Sequence, residues 1–452
     1  MEINRSIFRE YDIRGIFNTD FNNEDSYYIG KGYCNYIKDS SNKTVIVGYD
    51  NRISSSEIAK NLIKGITESG FNVIDIGLVT TPMLCYAREE LKIKNAIMIT
   101  ASHNTAEYNG FKLFNDNGSI FSLELEKIYN NIVNDNFISG VGNVESNNIY
   151  NLYINMLKNN IKLGSKKLKV VVDCDNGTGS FIVPRVLKEL DIDVVELNCN
   201  SDPTFKEHQP DPFIEENTLD LQKAVIDNNA DIGFGFDGDC DRVGIVDEKG
   251  KYIPIDLFMV FIWKNLVNKT DKKRTFFDVK CSSILNKELD KLNIEYKYVK
   301  TGHSYLKKEM DTGLYDFAGE LSGHICFKDR YYGYDDGLYA ALRTIEILSS
   351  TDNTFSNYLS DVKKLITSPE IKIEVKEDSR ERILSAIEDY AISKGYNILK
   401  IDGIRINFND GFILVRSSGT SSSLTTRFEA STNELLEQRK SEILTIIEKE
   451  NT

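Results

Sequence analysis

Short apolar segments that run directly into polar loops are the feature that most constrains how this chain can fold. The pattern occurs three times, at NAIMIT–ASHN (95–104), DIGFGF–DGDCDR (231–242) and DFAGEL–SGHICF (316–327). Continuous apolar runs of this length are typical of strands buried on both faces of a sheet. The pattern therefore predicts three α/β units, whose polar loops follow strands at the sheet edge where ligands bind.

A βαβ rhythm is clearest near the start of the chain. TVIVGYD (44–50) predicts a buried strand, and FNVIDIG (71–77) predicts a second one. Between them, Ser54 and Glu57 have the spacing of a capping box, and Gly70 is the expected end of the helix. Similar strands are predicted later, at 169–177 and 275–280.

The length and punctuation of the chain predict several domains, because 452 residues exceed what one hydrophobic core supports. The expected boundaries are a polar, glycine-containing linker at 134–148, Gly250 and Pro369. The last segment differs in character. It contains a hairpin signal at Asp410-Gly411 and then a helix predicted to begin at Ser431, with Glu434 in the capping-box position. This combination predicts a small α+β domain.

Composition narrows the class of protein. The net charge of −14 disfavours nucleic-acid binding, although local basic loops can still hold phosphates. There is no apolar signal region and no run of 18 apolar residues, so we expect a cytoplasmic protein without a membrane span. The seven scattered cysteines form no Cys-x-x-Cys pair, which favours reduced thiols over disulfides or a zinc site.

The loop FDGDCDR carries carboxylates at alternating positions, Asp237, Asp239 and Asp241. A turn that brings three carboxylates together makes the oxygen-rich site that Mg²⁺ prefers. Arg242 beside them suggests that an anion also comes to this loop. The alternative is a solvated acidic turn, and a calcium loop is disfavoured because the distal glutamate is absent.

The segment TASHNTAEYNGFK (100–112) places Ser102 directly after an apolar run. A serine in this position acts as a nucleophile or phosphate carrier, or else is a turn residue or a helix cap. Lys112 is a candidate for proton transfer or phosphate contact. The four histidines all lie in polar segments, which favours functional roles for several of them: His103, His208, His303 and His324.

Two further segments carry groups suited to a sugar phosphate. In GELSGH (319–324), Glu320, Ser322 and His324 offer acceptors and donors for sugar hydroxyls, and the alternative is a polar turn. In RSSGTSSSLTTR (416–427), hydroxyls, a glycine and two arginines can form an anion cradle, and the alternative is a Ser-rich linker.

In this order, the four motifs resemble the α-D-phosphohexomutase superfamily, and more closely its bacterial phosphomannomutase/phosphoglucomutase branch. The similarity reaches the whole chain, through FREYDIRG (8–15), VGYDNR (47–52), DNGTG (175–179), HQPDP (208–212), DVKC (278–281), KTGHS (300–304) and YGYDDG (332–337). The resemblance implies four domains around a central cleft, three of them α/β with mixed sheets and a smaller C-terminal α+β one. The expected ranges are 1–145, 146–250, 251–366 and 367–452.

The resemblance also implies roles for individual residues. Ser102 is expected to be the phosphoserine, and with it Asp237, Asp239 and Asp241 are expected to bind one Mg²⁺. The candidates for proton transfer, charge stabilisation and positioning are Arg14, Lys112, Arg242 and His324. The expected sugar contacts are Glu320 and Ser322. The expected phosphate contacts are Arg416, Ser418, Gly419, Thr420 and Arg427. The remaining substrate contacts are expected to be Tyr11, Lys280 and His303.

The implied activity is interconversion of hexose 1-phosphate and 6-phosphate, for mannose or glucose, with a hexose 1,6-bisphosphate as intermediate and activator. A monomer or weak dimer is expected, with no nucleic-acid or membrane partner. The alternatives are a phosphoglucosamine mutase, a Mg²⁺-dependent sugar phosphatase and a non-catalytic sugar-phosphate sensor. The chain departs from the family pattern at Thr105-Ala106, at Ser422 and at Ser282-Ser283. These departures concern loop rigidity and turnover rate rather than reaction type.

Overall fold

The computed structural model describes residues 2–417 and 423–451. The chain separates into two compact units, and neither is continuous in sequence. Unit 1 comprises Met1–Ile253, Lys307–Thr312 and Ser322–Asn357, and unit 2 comprises Pro254–Leu306, Gly313–Leu321 and Tyr358–Thr452. Within the described ranges, no helix combines the length and the apolar character that a membrane crossing requires.

The first sheet of unit 1 is mixed. Its strands are β1 Ile13–Ile16, β2 Thr44–Tyr49, β3 Asn72–Leu78, β4 Ala96–Ile99, β5 Tyr108–Asn115, β6 Gly118–Ser119 and β7 Val144–Ser146. Their order is β1-β5-β4-β2-β3-β7, with β6 paired to β5. Strands β4, β2, β3 and β7 run parallel, whereas β5 is antiparallel to both of its main neighbours. The helices are α1 Asn23–Tyr36, α2 Ser55–Thr67, α3 Thr81–Glu90 and α4 Leu123–Val133.

This sheet confirms the predicted strand–helix–strand unit and corrects two details. Ile58, Leu62 and Ile66 of α2 are fully buried, as their four-residue spacing requires. The capping box at Ser54 is wrong, since its side chain makes no cap, and its Oγ instead accepts a hydrogen bond from Asn109 Nδ2 at 2.8 Å. The stretch 134–148 is not only a linker, because β7 within it pairs with β3 as an edge strand.

The second sheet of unit 1 is also mixed. Its elements are α5 Tyr150–Asn160, β8 Lys169–Asp173, α6 Val183–Glu189, β9 Asp193–Leu197, α7 Leu219–Asp227, β10 Ile232–Phe236, β11 Val243–Asp247 and β12 Tyr252–Ile253. The strand order is β12-β11-β10-β8-β9, with β8 parallel to β9 and β10. Every residue of β10 is buried, as the apolar run DIGFGF predicts.

The following segment contributes to both units. Its elements are α8 Ile255–Leu266, β13 Arg274–Asp278, α9 Ser283–Lys291, β14 Glu295–Val299, α10 His303–Asp311, β15 Phe317–Gly319, β16 Ile325–Phe327, α11 Gly337–Ser349 and α12 Phe355–Tyr358. In unit 2, β13 is parallel to β14 and to β15. Trp263 of α8 packs edge-on against Phe317 of β15, with ring centroids 5.9 Å apart. Strand β16 and helix α11 belong to unit 1.

The C-terminal segment of unit 2 is an antiparallel sheet with two helices. Its elements are β17 Ile366–Thr367, β18 Ile371–Glu374, α13 Arg380–Ser393, β19 Asn397–Leu399, β20 Ile404–Phe408, β21 Gly411–Ser417, β22 Ser423–Ala430 and α14 Asn433–Glu450. The predicted hairpin is confirmed, since Phe408 pairs with Gly411. The predicted start of the last helix is one residue early, because Thr432 is the cap and its side chain accepts from the backbone N–H of Leu435.

Asp336 caps α11 inside a buried group of tyrosines in unit 1. Its Oδ1 accepts from the backbone N–H of Tyr339 at 2.9 Å. Its Oδ2 accepts from the hydroxyls of Tyr331 at 2.6 Å and Tyr153 at 2.7 Å. Burial raises the pKa of Asp336 to about 6, although these hydrogen bonds favour the charged form.

This raised pKa predicts a pH-dependent contribution to stability. The folded protein keeps a proton on Asp336 up to about pH 6, whereas the unfolded chain loses it near pH 4. The contribution is therefore fully present below pH 4 and is lost as the pH rises through about 6, a change of about 3 kcal/mol. Denaturant unfolding of wild type and Asp336→Asn would be measured at pH 4, 5, 6 and 7. The difference in unfolding free energy between the two proteins should shrink as the pH rises. Parallel profiles would contradict it.

Candidate active site

Ser102 lies three residues after the end of β4, in a strained and tightly held turn. Its φ of +50° is in the left-handed region, which side chains with a Cβ seldom occupy. The backbone N–H donates to Thr100 Oγ1 and the side-chain Oγ donates to Asp237 Oδ2, each at 2.8 Å. A Cβ at Gly238 would lie 2.5 Å from the Ser102 carbonyl oxygen, so only glycine allows this approach of the two loops.

Arg52 organises the backbone around Ser102. Its Nε donates to Asp50 Oδ2 at 3.1 Å. Its two terminal nitrogens donate to four carbonyl oxygens of the loop, those of Ser102 (2.8 Å), Asn104 (2.7 Å), Thr105 (2.6 Å) and Tyr108 (3.0 Å). Arg52 was not among the residues predicted for the site. The available signal was its place just after β2, the strand that pairs with β4.

We expect Arg52→Lys to loosen this loop. Lysine cannot reproduce the planar fork of donors, and losing one or two net hydrogen bonds corresponds to roughly 1–3 kcal/mol of local stability. Amide hydrogen exchange at 103–108 should therefore become about 10–100-fold faster. Arg88→Lys is the matched control, because Arg88 is buried and bonds the carbonyl oxygens of Lys94 and Asn115 instead. Unchanged protection at 103–108 in Arg52→Lys would contradict the bracing role.

The three predicted carboxylates follow β10 and converge. Asp237, Asp239 and Asp241 are fully buried, and each offers an oxygen within 4.8 Å of the others. Thr81 Oγ1 donates to Asp239 Oδ2 at 2.5 Å. No hydrogen-bond donor among residues 2–417 and 423–451 reaches Asp239 Oδ1 or Asp241 Oδ1. Buried carboxylate oxygens of this kind need a partner, and they fit the oxygen-only ligand set of Mg²⁺.

Lys112 provides a buried counter-charge to this cluster. It is not in the loop but on β5, where it pairs with Met98 of β4. Its Nζ lies 2.6 Å from both Asp239 Oδ2 and Asp241 Oδ2. Burial disfavours the ammonium, but the carboxylates outweigh it and raise the pKa of Lys112, so it stays charged. The other oxygens of the two carboxylates remain available to a cation.

The cluster does not hold three equivalent charges. Burial, followed by the charges of Asp241 and Asp239, raises the pKa of Asp237 well above its ordinary value. Burial acts in the same direction on Asp241, but Lys112 and His324 outweigh it and hold the pKa of Asp241 well below its ordinary value. Divergent protonation of neighbouring carboxyl groups is frequent at functional sites.

Histidine and arginine side chains surround Ser102. His103 Nδ1 lies 3.4 Å from Ser102 Oγ. Burial, followed by Arg242 and Arg14, lowers the pKa of His103 well below its ordinary value, so its imidazole stays neutral. Arg14 donates to Asn104 Oδ1 at 2.7 Å and pairs with Asp12. The sequence favoured a functional role for His103 but no particular one, although the residue directly follows Ser102.

A second group links the cluster to the end of the GELSGH motif. Arg242 Nε lies 3.5 Å from Asp237 Oδ2 and 3.3 Å from His324 Nε2. His324 Nδ1 lies 3.1 Å from Ser322 Oγ. His324 Nε2 is also 3.9 Å from Asp335 Oδ2, a buried carboxylate that sequence analysis missed. All of these residues belong to unit 1.

Unit 2 gathers a second set of the predicted residues around Lys280. The ammonium of Lys280 is 3.2 Å from Glu370 Oε1 and 3.9 Å from Asp278 Oδ2. Burial lowers the pKa of Lys280, but Glu370, Asp278 and Glu320 outweigh it, so the net shift is upward. Glu320 is buried, and Asp278 Oδ1 accepts from the backbone N–H of Leu321 at 2.9 Å. Neither Glu370 nor Asp278 was predicted as a site residue.

The described part of the 416–427 loop contributes two arginines. Arg416 Nε donates to Asp402 Oδ2 at 2.9 Å. Arg427 donates to the carbonyl oxygen of Lys280. Ser418, Gly419, Thr420 and Ser422 lie outside the described residues. His303 is buried at the start of α10, and Tyr11 is half-buried just before β1.

The structure thus brings the predicted residues together in two groups. In unit 1 these are Arg14, Ser102, Lys112, Asp237, Asp239, Asp241, Arg242, Ser322 and His324. In unit 2 they are Lys280, Glu320, Arg416 and Arg427. The GELSGH motif, predicted as one sugar-binding segment, is divided, because Glu320 belongs to unit 2 and Ser322 with His324 to unit 1.

Four family models match successive parts of the chain. Residues 5–139, 151–250 and 255–365 match the α/β/α domains I, II and III described as phosphoglucomutase/phosphomannomutase. Residues 370–446 match the C-terminal domain of that family. Together these ranges cover the three α/β segments and the antiparallel C-terminal segment.

Similar proteins span nearly the whole chain. A phosphomannomutase/phosphoglucomutase of Pseudomonas aeruginosa is 39% identical over 440 residues, covering 96% of this chain and 94% of the relative. A phosphoglucomutase of Neisseria meningitidis serogroup A is 35% identical, covering 99% of this chain and 97% of the relative. The crystal structure of a phosphoglucomutase/phosphomannomutase family protein from Burkholderia thailandensis superimposes with a TM-score of 0.92 at 30% identity. The match covers 99% of this chain and 98% of that protein.

Proposed function

The chain belongs to the phosphoglucomutase/phosphomannomutase family, and we propose that it is a phosphohexomutase that interconverts hexose 1-phosphate and 6-phosphate through a phosphorylated Ser102. The observation that carries this proposal is the placement of Ser102 Oγ 2.8 Å from Asp237, within a buried carboxylate cluster that also contacts Lys112. A serine held in this way can carry a phosphoryl group beside groups that neutralise its charge.

The carboxylate cluster is the proposed metal site. Asp237, Asp239 and Asp241 would hold Mg²⁺ together with an oxygen of the phosphorylated Ser102. The oxygen-only ligand set and the buried Oδ1 atoms without donors fit a hard cation. When bound, the ion would neutralise phosphoryl oxygens during transfer.

The chain's own cations and bases supply the remaining chemistry. Lys112 stays charged at the cluster, and Arg242 lies beside Asp237, so both add positive charge where the phosphoryl group is transferred. Arg14 and His324 are the proposed partners for positioning and proton transfer, and a positioned acid or base contributes roughly 10²–10⁴-fold. Arg52 acts only through the loop, as a positioning residue.

The substrate is recognised through its hydroxyls and its second phosphate. We assign the hydroxyl contacts to Glu320 and Ser322. We assign five residues to the phosphate that is not transferred: Arg416, Ser418, Gly419, Thr420 and Arg427. Tyr11, Lys280 and His303 are the proposed further contacts. The arginines offer charge-assisted hydrogen bonds that read the phosphate and not the carbon bearing it.

Two transfers complete the proposed reaction. The phosphoserine gives its phosphoryl group to the free hydroxyl of a hexose phosphate, which yields a 1,6-bisphosphate and a free Ser102. The bisphosphate then turns, and its other phosphoryl group returns to Ser102, which releases the isomer. Added hexose 1,6-bisphosphate would activate the enzyme by phosphorylating Ser102.

We further propose a monomeric or weakly dimeric cytoplasmic protein with domains at 1–145, 146–250, 251–366 and 367–452.

A coupled assay tests the proposed function. Mannose, glucose and glucosamine 1-phosphates would be compared with Mg²⁺ and a trace of glucose 1,6-bisphosphate. We expect 6-phosphate formation to be fastest with mannose or glucose and to proceed without net phosphate release. A preference for glucosamine 1-phosphate would favour a phosphoglucosamine mutase, and stoichiometric phosphate release would favour a phosphatase. Binding without turnover would indicate a sensor.

A further inference from the structure

A second cluster of ligand-type side chains lies at the end of β8 in unit 1. It consists of Asp173, Asp175 and His208, each with one nitrogen or oxygen within 4.8 Å of the others. We call it the β8 cluster. Both carboxylates are buried, Asp175 with 4% of its surface exposed. None of the three residues has a part in the phosphoryl transfer proposed above.

Asp173 is fixed in orientation by its neighbours. Asn198 Nδ2 lies 3.2 Å from its Oδ1 and 3.3 Å from its Oδ2. The backbone N–H of Asp175 also donates to Asp173 Oδ1, at 3.0 Å. Hydrogen bonds of this kind around a carboxylate are the usual support of a metal ligand.

His208 turns a lone pair toward Asp175. Its Nδ1 is 3.0 Å from the carbonyl oxygen of Gln209, which can only accept, so Nδ1 carries the hydrogen. In the neutral ring Nε2 is then an acceptor, and it lies 3.6 Å from Asp175 Oδ1. Among residues 2–417 and 423–451, no hydrogen-bond partner reaches His208 Nε2 or the buried Asp175 Oδ2. When both carboxyl groups are ionised, acceptors converge here, and a bound cation or a proton held between Asp173 and Asp175 would relieve their repulsion.

We propose that the β8 cluster binds a divalent cation of the class that prefers imidazole, with Zn²⁺ as its probe. One imidazole nitrogen and two carboxylate oxygens are a ligand set that suits zinc, whereas magnesium prefers oxygen alone. The competing occupant is a proton on Asp175, since burial and the charge of Asp173 raise the pKa of Asp175 well above its ordinary value.

A cation in the β8 cluster would stabilise the backbone near Ser102. Gln209, which follows His208, donates from Nε2 to the carbonyl oxygen of His103 at 2.8 Å. A cation on His208 would therefore fix the segment that supports the backbone beside Ser102. This is a positioning effect, independent of the metal proposed at Asp237, Asp239 and Asp241.

Zinc titration of the EDTA-treated full chain tests the inference. Asp239→Asn removes a ligand from the cluster of Asp237, Asp239 and Asp241, and the double variants then separate zinc at the β8 cluster from zinc at Asp241, His324 and Asp335. We expect one zinc ion per chain in D239N. We expect affinity to fall more than about 100-fold in D239N/D175N and D239N/H208Q, because even loss of an outer-shell partner costs 10–100-fold. D239N/D202N is the matched control and should bind as D239N does, since Asp202 is a nearby carboxylate that bonds Thr204 instead.

Zinc-edge X-ray absorption of D239N provides the second measurement. We expect the outer-shell scattering of one imidazole, and we expect D239N/H208Q to lose it. Because the His208 side chain is partly exposed, H208Q decides the question if D175N does not fold. Absence of zinc binding in D239N would overturn the proposal and leave the proton as the occupant. Binding that is unchanged by both D175N and H208Q would overturn it as well.

Discussion

Replacing Ser102 with alanine is expected to lower kcat/KM for mannose 1-phosphate isomerisation by at least about 10³-fold, or about 4 kcal/mol of transition-state stabilisation. Alanine removes the oxygen that is proposed to carry the phosphoryl group, and the hydrogen bond from Oγ to Asp237 Oδ2 is lost with it. Substrate binding should change far less, because the proposed phosphate and hydroxyl contacts remain. The loss should therefore appear in kcat rather than in KM.

Ser122→Ala is the matched control for this substitution. Ser122 also has a positive φ, of +52°, and its side chain makes no cap at the start of α4. Both variants then carry the same change of side chain at a residue with a similar positive φ. Near-normal activity in Ser102→Ala would show that the serine does not carry the phosphoryl group. An equal loss in both variants would point to misfolding instead.

Lys112→Met is expected to lower the free energy of unfolding by roughly 3–5 kcal/mol in metal-free protein, because it removes the cation from a buried charge cluster. Its Nζ contacts Asp239 and Asp241 at 2.6 Å each, and all three side chains are buried. Methionine preserves the apolar stem, so the loss reports on charge. Denaturant unfolding measured in EDTA checks the prediction.

Added Mg²⁺ should offset part of this loss, since the ion can neutralise the same carboxylates. The midpoint of thermal unfolding should therefore rise more with Mg²⁺ in Lys112→Met than in wild type. Lys169→Met is the matched control, because Lys169 is 3.9 Å from Asp193 in a solvent-exposed pair, and such pairs contribute about 0–1 kcal/mol. Equal unfolding free energies in wild type and Lys112→Met would contradict the role given to Lys112.

Much of the fold could be predicted because local patterns and burial agree. The strands at 44–50 and 71–77 are continuous apolar runs, and the chain pairs them in parallel with α2 between. Capping was less predictable. Ser54 fits the capping-box spacing, but Asn109, which is 55 residues away in sequence, engages its hydroxyl. Spacing alone carries no information about such a distant competitor.

The site shows the same division between local and distant information. Alternation of Asp237, Asp239 and Asp241 predicted their convergence, since a single turn brings them together. The bracing by Arg52 was not visible, because its partners are backbone carbonyl oxygens, which every residue has. The contacts of Ser282 and Ser283, where the chain departs from the family pattern, could not be predicted from the sequence either. Both hydroxyls donate to the buried Glu429, which is distant in sequence.

The central claim is that Ser102 carries the phosphoryl group, and peptide mapping after incubation with ³²P-labelled glucose 1,6-bisphosphate and Mg²⁺ tests it most directly. We predict that the label is found on Ser102 and is transferred to sugar bisphosphate when mannose 6-phosphate is added. Label on a different residue, or label released only as inorganic phosphate, would contradict the account.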